Sequence, residues 1–181
     1  MKKTVLTFGV ISGLIVSVLM MVTMAFQDRI GFDRGVVVGY TTMLAAFLLI
    51  YFGVRSYRDN VAGGSVRFGR AFAVGALIAL ISSLFYTATW EVIYFGGFAP
   101  NFIAKYQEHQ LATDRAKGAT QAELDKKTAE MKKFAEMYRN PAINAAVTLV
   151  EPLPLGLVVA LVSAGLVSRR RRAGGLAPQP G

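Results

Sequence analysis

Four long uncharged stretches dominate the pattern of hydrophobic and polar positions along the chain. No Asp, Glu, Lys or Arg occurs in residues 4–26, 35–54, 71–90 or 152–168, which contain 23, 20, 20 and 17 residues. An α-helix rises about 1.5 Å per residue and the bilayer core is about 30 Å thick, so about 20 apolar residues cross it. The pattern predicts an all-α integral membrane bundle of four transmembrane helices.

Signals beside these stretches set the predicted bounds. The third stretch extends from Phe68 to the break at "GGFAPN", and Asn140 with Pro141 supplies an N-cap and a first helical position for the fourth. Residues 173–181, rich in Gly and Pro, are predicted to be a disordered tail. The predicted spans, within a transmembrane domain of residues 1–172, are about 4–26, 35–54, 68–96 and 141–168.

The segment between spans three and four, residues 100–139, has a different character. Of the 35 residues in 105–139, 14 are charged. Thr120 and Glu123 form the T-x-x-E pattern of a capping box, which opens a second helix after a break at "KGAT". We therefore predict an extramembrane helical hairpin. It either rests on the membrane surface or extends spans three and four into water, and extension is slightly favoured.

Charge placement predicts the orientation and the partners. The chain carries a net charge of +9 and no cysteine, and much of its basic charge lies beside the spans or in the tail, although eight of its 20 Lys and Arg residues fall in 105–139 and are interleaved with acids. Lys2, Lys3, the loop from Arg55 to Arg70 and the tail arginines fall on one side, which predicts that both termini are cytoplasmic. The predicted partner is therefore a lipid bilayer with anionic headgroups, and not nucleic acid. The first stretch exceeds a signal h-region of about 7–15 residues, so a retained span is favoured over a cleaved signal.

Small residues repeat every four positions along three spans, a spacing that lets membrane helices approach closely. Span one has Gly9, Gly13 and Ser17. Span three runs from Ala71 through Gly75, Ala79, Ser83 and Thr87 to Glu91, and span four has Pro152, Gly156, Ala160 and Ala164. These lines are predicted to face the bundle interior.

Polar residues inside spans three and four form the first candidate site. An ion at membrane depth needs a partner, a proton or water, and each proline leaves one helical carbonyl without its usual donor. Glu91 and Glu151 are predicted to lie at similar depth. One reading is a proton- or cation-coupled site; the other, favoured, is a structural pair with Arg29, Arg34 or Arg139. The predicted intramembrane polar site comprises Glu91, Glu151, Thr87, Asn144, Thr148 and Pro152.

The basic loop around "GGSVRFGR" forms the second candidate site. Ser65 is a candidate cap for span three, whose first amides and arginines would face a phosphate. The alternative interpretation, which we favour, is that this loop anchors the protein by contacting lipid headgroups. The predicted anion or headgroup contacts are Arg55, Arg58, Ser65, Arg67 and Arg70.

The chain shows no pattern that indicates catalysis. His109 is the single histidine, between Glu108 and Gln110 on a polar helix, and is read as an ordinary surface residue. Neither a serine–histidine–acid constellation nor a metal-ligand spacing is visible. We expect no enzyme activity, no cofactor and no metal site.

Four segments resemble a bacterial membrane family known as domain of unknown function 4199. They are "FGVRSYRDNVAGGSVRFGRAFAVGALIALISSLFYTATWEVIYF", "PNFIAKYQEH", "EMYRNP" and "EPLPLGLVVALVSAGLVSRRR". The resemblance covers roughly residues 4–172. It implies a small bacterial protein with four transmembrane helices and a helical insertion before the last, located in the cytoplasmic membrane. It transfers no activity, substrate or catalytic residue.

Two functional hypotheses follow. The first is a non-enzymatic membrane interaction or accessory component, with a second copy or another membrane protein as its partner. The second is a small oligomeric proton- or cation-coupled transporter or channel subunit that uses Glu91 and Glu151. Four spans are few for a transporter acting alone, so the second hypothesis requires an oligomer.

Overall fold

The structure, a computed structural model, describes residues 1–99 and 101–168, and the predicted tail of residues 173–181 lies outside them. The described part of the chain contains helices and no strands, which confirms the predicted all-α fold. The helices are α1 (Lys2–Ala25), α2 (Gln27–Ile30), α3 (Phe32–Asn60), α4 (Phe68–Phe95), α5 (Phe102–Ala116), α6 (Gln121–Tyr138), α7 (Pro141–Val150) and α8 (Pro152–Ser168).

Four helical segments in the described residues are long and apolar enough to cross a membrane: Lys2–Ala25, Phe32–Asn60, Phe68–Phe95 and Pro141–Ser168. The prediction of four spans is therefore confirmed. The second helix is longer than the predicted 35–54, because "FDR" and "RSYRDN" continue the same helix with charged side chains beyond the apolar stretch. Spans one and three run in one direction and spans two and four return, so the ends form a termini side and a hairpin side.

The small residues of α1 pack against α4, as predicted. A Cβ placed at Gly9 would lie 2.9 Å from Ile81 Cβ, and one at Gly13 would lie 2.6 Å from Phe85 Cγ. One turn further on, Thr89 donates a hydrogen bond of 2.7 Å to Ser17 Oγ. Both helices advance four residues per contact, so they run parallel at a separation that only small side chains allow.

A second close packing joins α4 to α8, in the antiparallel sense. A Cβ at Gly75 would lie 2.9 Å from Ala160 Cβ, and one at Gly156 would lie 2.8 Å from Ala79 Cβ. The fully buried Phe47 of α3 packs against Gly156 beside this contact between α4 and α8. The core of the bundle therefore lies toward the termini side, where α3, α4 and α8 meet.

The hairpin consists of α5 and α6 and leans over the connection between α1 and α3. Lys105 Nζ lies 3.0 Å from Asp28 Oδ1, and His109 Nε2 lies 3.0 Å from Asp33 Oδ1. The predicted capping box is present at the start of α6, and Asn140 caps α7 with Pro141 in its first turn. These contacts cover the hairpin-side ends of the first two spans.

Candidate functional site

Span four is interrupted at the acid that its sequence places in the apolar run. The helix α7 ends at Val150, Glu151 is its cap residue, and α8 begins at Pro152. The break follows from proline chemistry, because Pro152 has no N–H for the carbonyl of Thr148. That carbonyl instead accepts the N–H of Glu151 at 3.4 Å. The helical carbonyl that Pro152 was predicted to leave without its usual donor is thus partly satisfied within the chain.

A cavity of about 530 Å³ opens beside Glu151. The spans contribute mostly apolar and aromatic side chains to the cavity, and the hairpin covers the part of the cavity that lies farthest from the termini side. Its main lining residues are Met20, Val36, Gly39, Tyr40, Met43, Tyr86, Trp90, Val147, Thr148 and Glu151 of the spans, and Phe102, Tyr106, Lys127, Glu130, Phe134 and Tyr138 of the hairpin. Small-molecule sites occupy roughly 300–1,000 Å³ and combine apolar walls with a few polar groups.

The wall of the cavity also opens sideways, toward the membrane. Val36 and Tyr40 of α3 are 55% and 48% exposed, and Val147 of α7 is 41% exposed. The helix α3 packs against α1, α4 and α8, whereas α7 packs against α4, α6 and α8. Both helices pack against α4 and α8, but they are not packed extensively against each other. Because both also line the cavity, we place the mouth between them in the hairpin-side half of the bundle.

Two tyrosines hold the polar groups of the cavity. The hydroxyl of Tyr86 donates to Glu151 Oε2 at 2.9 Å. The hydroxyl of Tyr138 lies 3.0 Å from Thr148 Oγ1, and burial raises the pKa of this phenol, so it stays neutral. Asn144 accepts from Thr148 and donates to the Tyr138 carbonyl at 3.2 Å. The base of the hairpin is thereby fastened to α7.

The expected pairing of the two acids with arginines is wrong within the described residues. Neither Glu91 nor Glu151 takes part in an ion pair there. Arg29 lies instead over the ring of Phe26, 5.9 Å from its centroid. Glu151 has a neutral phenol as its partner, so its environment offers hydrogen bonding without compensating charge.

The structure does not bring Glu91 and Glu151 into one site. Glu91 and Thr87 do not line the cavity, and their Oε1 and Oγ1 atoms are buried without a hydrogen-bond partner among the described residues. Continuing the register of Gly75 with Ala160 places Glu91 level with Asn144. Asn144 is seven residues from Glu151, or about 10 Å along a helix. This register does not support the prediction of similar depth, whereas Asn144, Thr148 and Pro152 are buried together on the inner face.

Comparison with protein families yields one match that covers most of the chain. The family described as "Protein of unknown function (DUF4199)" matches residues 7–169. The chain belongs to the DUF4199 family. With its four apolar helices it is a multi-pass membrane protein. Neither curated proteins nor solved structures gave a match.

The basic site of this DUF4199 protein lies at the opposite end of the bundle. Arg55, Arg58, Ser65, Arg67 and Arg70 line one open depression, which α8 borders at Val167. Asp59 lies 2.7 Å from Arg58 and 3.6 Å from Arg55. The structure thus gathers all five predicted residues at one surface, and their contact with anions stays a prediction.

The expected role of Ser65 as a helix cap is wrong. The helix α4 begins at Phe68, its N-cap residue is Arg67, and no side chain caps it. Ser65 therefore lies two residues too early to reach the first amides. The glycines before it extend the turn, since Gly63 and Gly64 both have positive φ.

Sequence reasoning missed the cavity role of two side chains of the DUF4199 protein, and it missed the contacts of a third that lies outside the cavity lining. Tyr86 and Trp90 lie one helical turn apart on α4, and both line the cavity. Their four-residue spacing could have indicated that both rings face the same site. Aromatic residues that face lipid show the same spacing, so the pattern alone did not distinguish the two cases. His109, read as a surface residue, joins the hairpin to Asp33 and lies 5.3 Å from the Phe32 ring, centroid to centroid.

Proposed function

We propose that this DUF4199 protein is a non-enzymatic membrane component that binds a hydrophobic small molecule in the cavity beneath its hairpin. The observation that carries the proposal is the cavity itself, whose apolar wall opens between α3 and α7. Its size and lining fit a small-molecule site. A membrane-dissolved molecule would enter through this mouth without crossing water.

The packing beneath Glu151 favours binding over transport. On the termini side of the cavity, Gly156 packs against Ala79 and Phe47 at distances that leave no space for a Cβ. Phe47, Ile50 and Ile78 in the same region are fully buried. A transport path that used Glu151 would require these helices to separate, and Glu91 lies outside the cavity. The alternative of a proton- or cation-coupled transporter or channel subunit is therefore the weaker one.

The proposal includes a location and partners. We place the protein in the bacterial cytoplasmic membrane with both termini in the cytoplasm, because the arginine-lined depression lies on the termini side. There Arg67 and Arg70 contact anionic lipid headgroups. The hairpin then lies outside the cytoplasm, where a second copy or another membrane protein would meet it.

Native mass spectrometry of the purified protein in mild detergent tests the proposal. The unmodified protein should retain a small hydrophobic adduct. Gly39→Phe should lose it, because Gly39 lines the cavity and has no heavy atom within 4 Å of its Cβ position. Gly165→Phe is the matched control, since Gly165 is equally open but does not line the cavity.

Retention of the adduct by Gly39→Phe at the level of the control would contradict the site. Absence of any adduct from the unmodified protein would contradict the function. Flux in proteoliposomes driven by a pH or sodium gradient would favour the transporter alternative instead.

A further inference from the structure

We infer that the cavity selects amphipathic molecules with a positively charged ammonium group, which Glu151 binds while the apolar part lies in the mouth between α3 and α7. This inference rests on the proposed function and names the class of its ligand. It depends on the charge balance of the cavity, on the contacts of Glu151 and on the shape of the mouth.

The charged side chains that line the cavity are two acids and one base. They are Glu151, Glu130 and Lys127, and the lysine is bound to Asp114 on the other hairpin helix. Lys127 and Glu130 lie on α6, on the hairpin side, so Glu151 is the charged residue among the spans that line the cavity. A cleft with this balance and apolar walls concentrates cations and repels anions.

The contacts of Glu151 leave it able to bind a cation. Its bond from Tyr86 goes to Oε2, and Oε1 has no bond from the described residues. A carboxylate at membrane depth with one neutral donor gains from an opposite charge that enters with the ligand. The residue is exposed in the described structure, so a ligand can reach it.

Aromatic rings beside Glu151 add a second preference for ammonium. Tyr40, Tyr86, Trp90 and Tyr138 line the cavity with it. The faces of such rings attract Lys-like or quaternary ammonium ions. A carboxylate together with tyrosine and tryptophan rings is the recurring chemistry of ammonium recognition.

The mouth fits the apolar part of such a molecule. Val36 of α3 and Val147 of α7 line the cavity and are exposed. An alkyl chain lying there would contact these side chains on one side and membrane lipid on the other. An ammonium amphipath can thus bind without burying its whole length in the protein.

The single tryptophan of the chain supplies a direct assay, because Trp90 lines the cavity. The protein is held in a maltoside detergent, which carries no ammonium group, and is titrated with three twelve-carbon probes that carry a quenching bromine on the chain. Their headgroups are trimethylammonium, hydroxyl and carboxylate. We expect the ammonium probe to quench Trp90 at a concentration about tenfold or more below the alcohol, and the carboxylate to be the weakest.

Glu151→Gln should abolish the preference for ammonium over alcohol, because the amide keeps the shape and loses the charge. Glu91→Gln is the matched control: it removes a glutamate of span three that lies outside the cavity, and it should keep the preference. If Glu151→Gln does not fold, the comparison of the three headgroups in the unmodified protein decides the matter alone.

The outcomes separate the two proposals. Equal quenching by ammonium and alcohol, or a preference that survives in Glu151→Gln, overturns the inference about charge and leaves the hydrophobic cavity standing. No quenching by any probe beyond the level of Gly39→Phe overturns both. Displacement of the ammonium probe by phosphatidylethanolamine or phosphatidylcholine, but not by phosphatidylglycerol, would identify the lipid headgroup as the source of the ammonium.

Discussion

The contact between α4 and α8 yields a sharp prediction about stability. Gly156→Ala adds a Cβ that would lie 2.8 Å from Ala79 Cβ and 3.2 Å from Phe47 Cε2. An ordinary contact begins near 3.4 Å, so the helices must separate by about half an ångström. Such overpacking costs about 1–3 kcal/mol. Alanine itself gains about 0.5–1 kcal/mol over glycine inside a helix, which offsets part of that cost.

Gly165→Ala is the control that isolates the helical gain. Gly165 lies in the same helix, and its Cβ position has no neighbour within 4 Å. The free energy of unfolding of Gly156→Ala should therefore be about 1–3 kcal/mol below that of Gly165→Ala. The measurement is reversible unfolding by sodium dodecyl sulfate in mixed micelles, followed by far-ultraviolet circular dichroism.

Two outcomes would refute this reasoning. If Gly156→Ala unfolds at the same denaturant fraction as Gly165→Ala, the close approach of α4 and α8 does not exist in the folded protein. If Gly165→Ala is itself strongly destabilised, then Gly165 has a partner outside the described contacts and the control fails.

Two further predictions concern the hairpin. Thr120→Ala removes the capping box of α6 and should cost that helix about 0.5–2 kcal/mol, seen as faster amide exchange in its first turn with little change in α5. Hydrogen bonds from Thr120, first from its backbone N–H, lower the pKa of Glu123 below its usual 4.5. The Glu123 carboxylate should therefore contribute fully to the protection of α6 from amide exchange above pH 4.5. That contribution should decline as the pH falls through the lowered pKa. Replacing both Asp28 and Asp33 by Asn should speed amide exchange in α5. Global stability should change by less than about 1 kcal/mol, because the ion pairs of these two acids with the hairpin are exposed. Unchanged exchange in α5 would show that the hairpin is held by other contacts.

Local features of the sequence were sufficient to predict most of the elements. Hydrophobicity summed over about 20 residues decides whether a helix can cross a bilayer, and neighbouring residues supply that sum. The caps at Thr120 and Asn140 were predictable for the same reason, because a cap and the amides that it binds lie within three residues. The small residues of span one were predictable as a packing face, since four-residue spacing keeps them on one side of the helix.

The site depends on relations that the sequence does not contain. Tyr86 and Glu151 are 65 residues apart and meet only because α4 and α7 pack side by side. The predicted depth of Glu91 came from counting along each span separately, a method that ignores the packing register of α4 on α8.

The sequence by itself determined that this protein has four membrane-spanning helices with a hairpin before the last, because apolar length and helix caps are local properties. Only the tertiary structure decided that α3 and α7 part to leave a cavity, and that Glu151 faces it while Glu91 does not. The physical reason is that helix packing depends on which faces interlock. The close contacts at Gly75 and Gly156 set the register of α4 against α8.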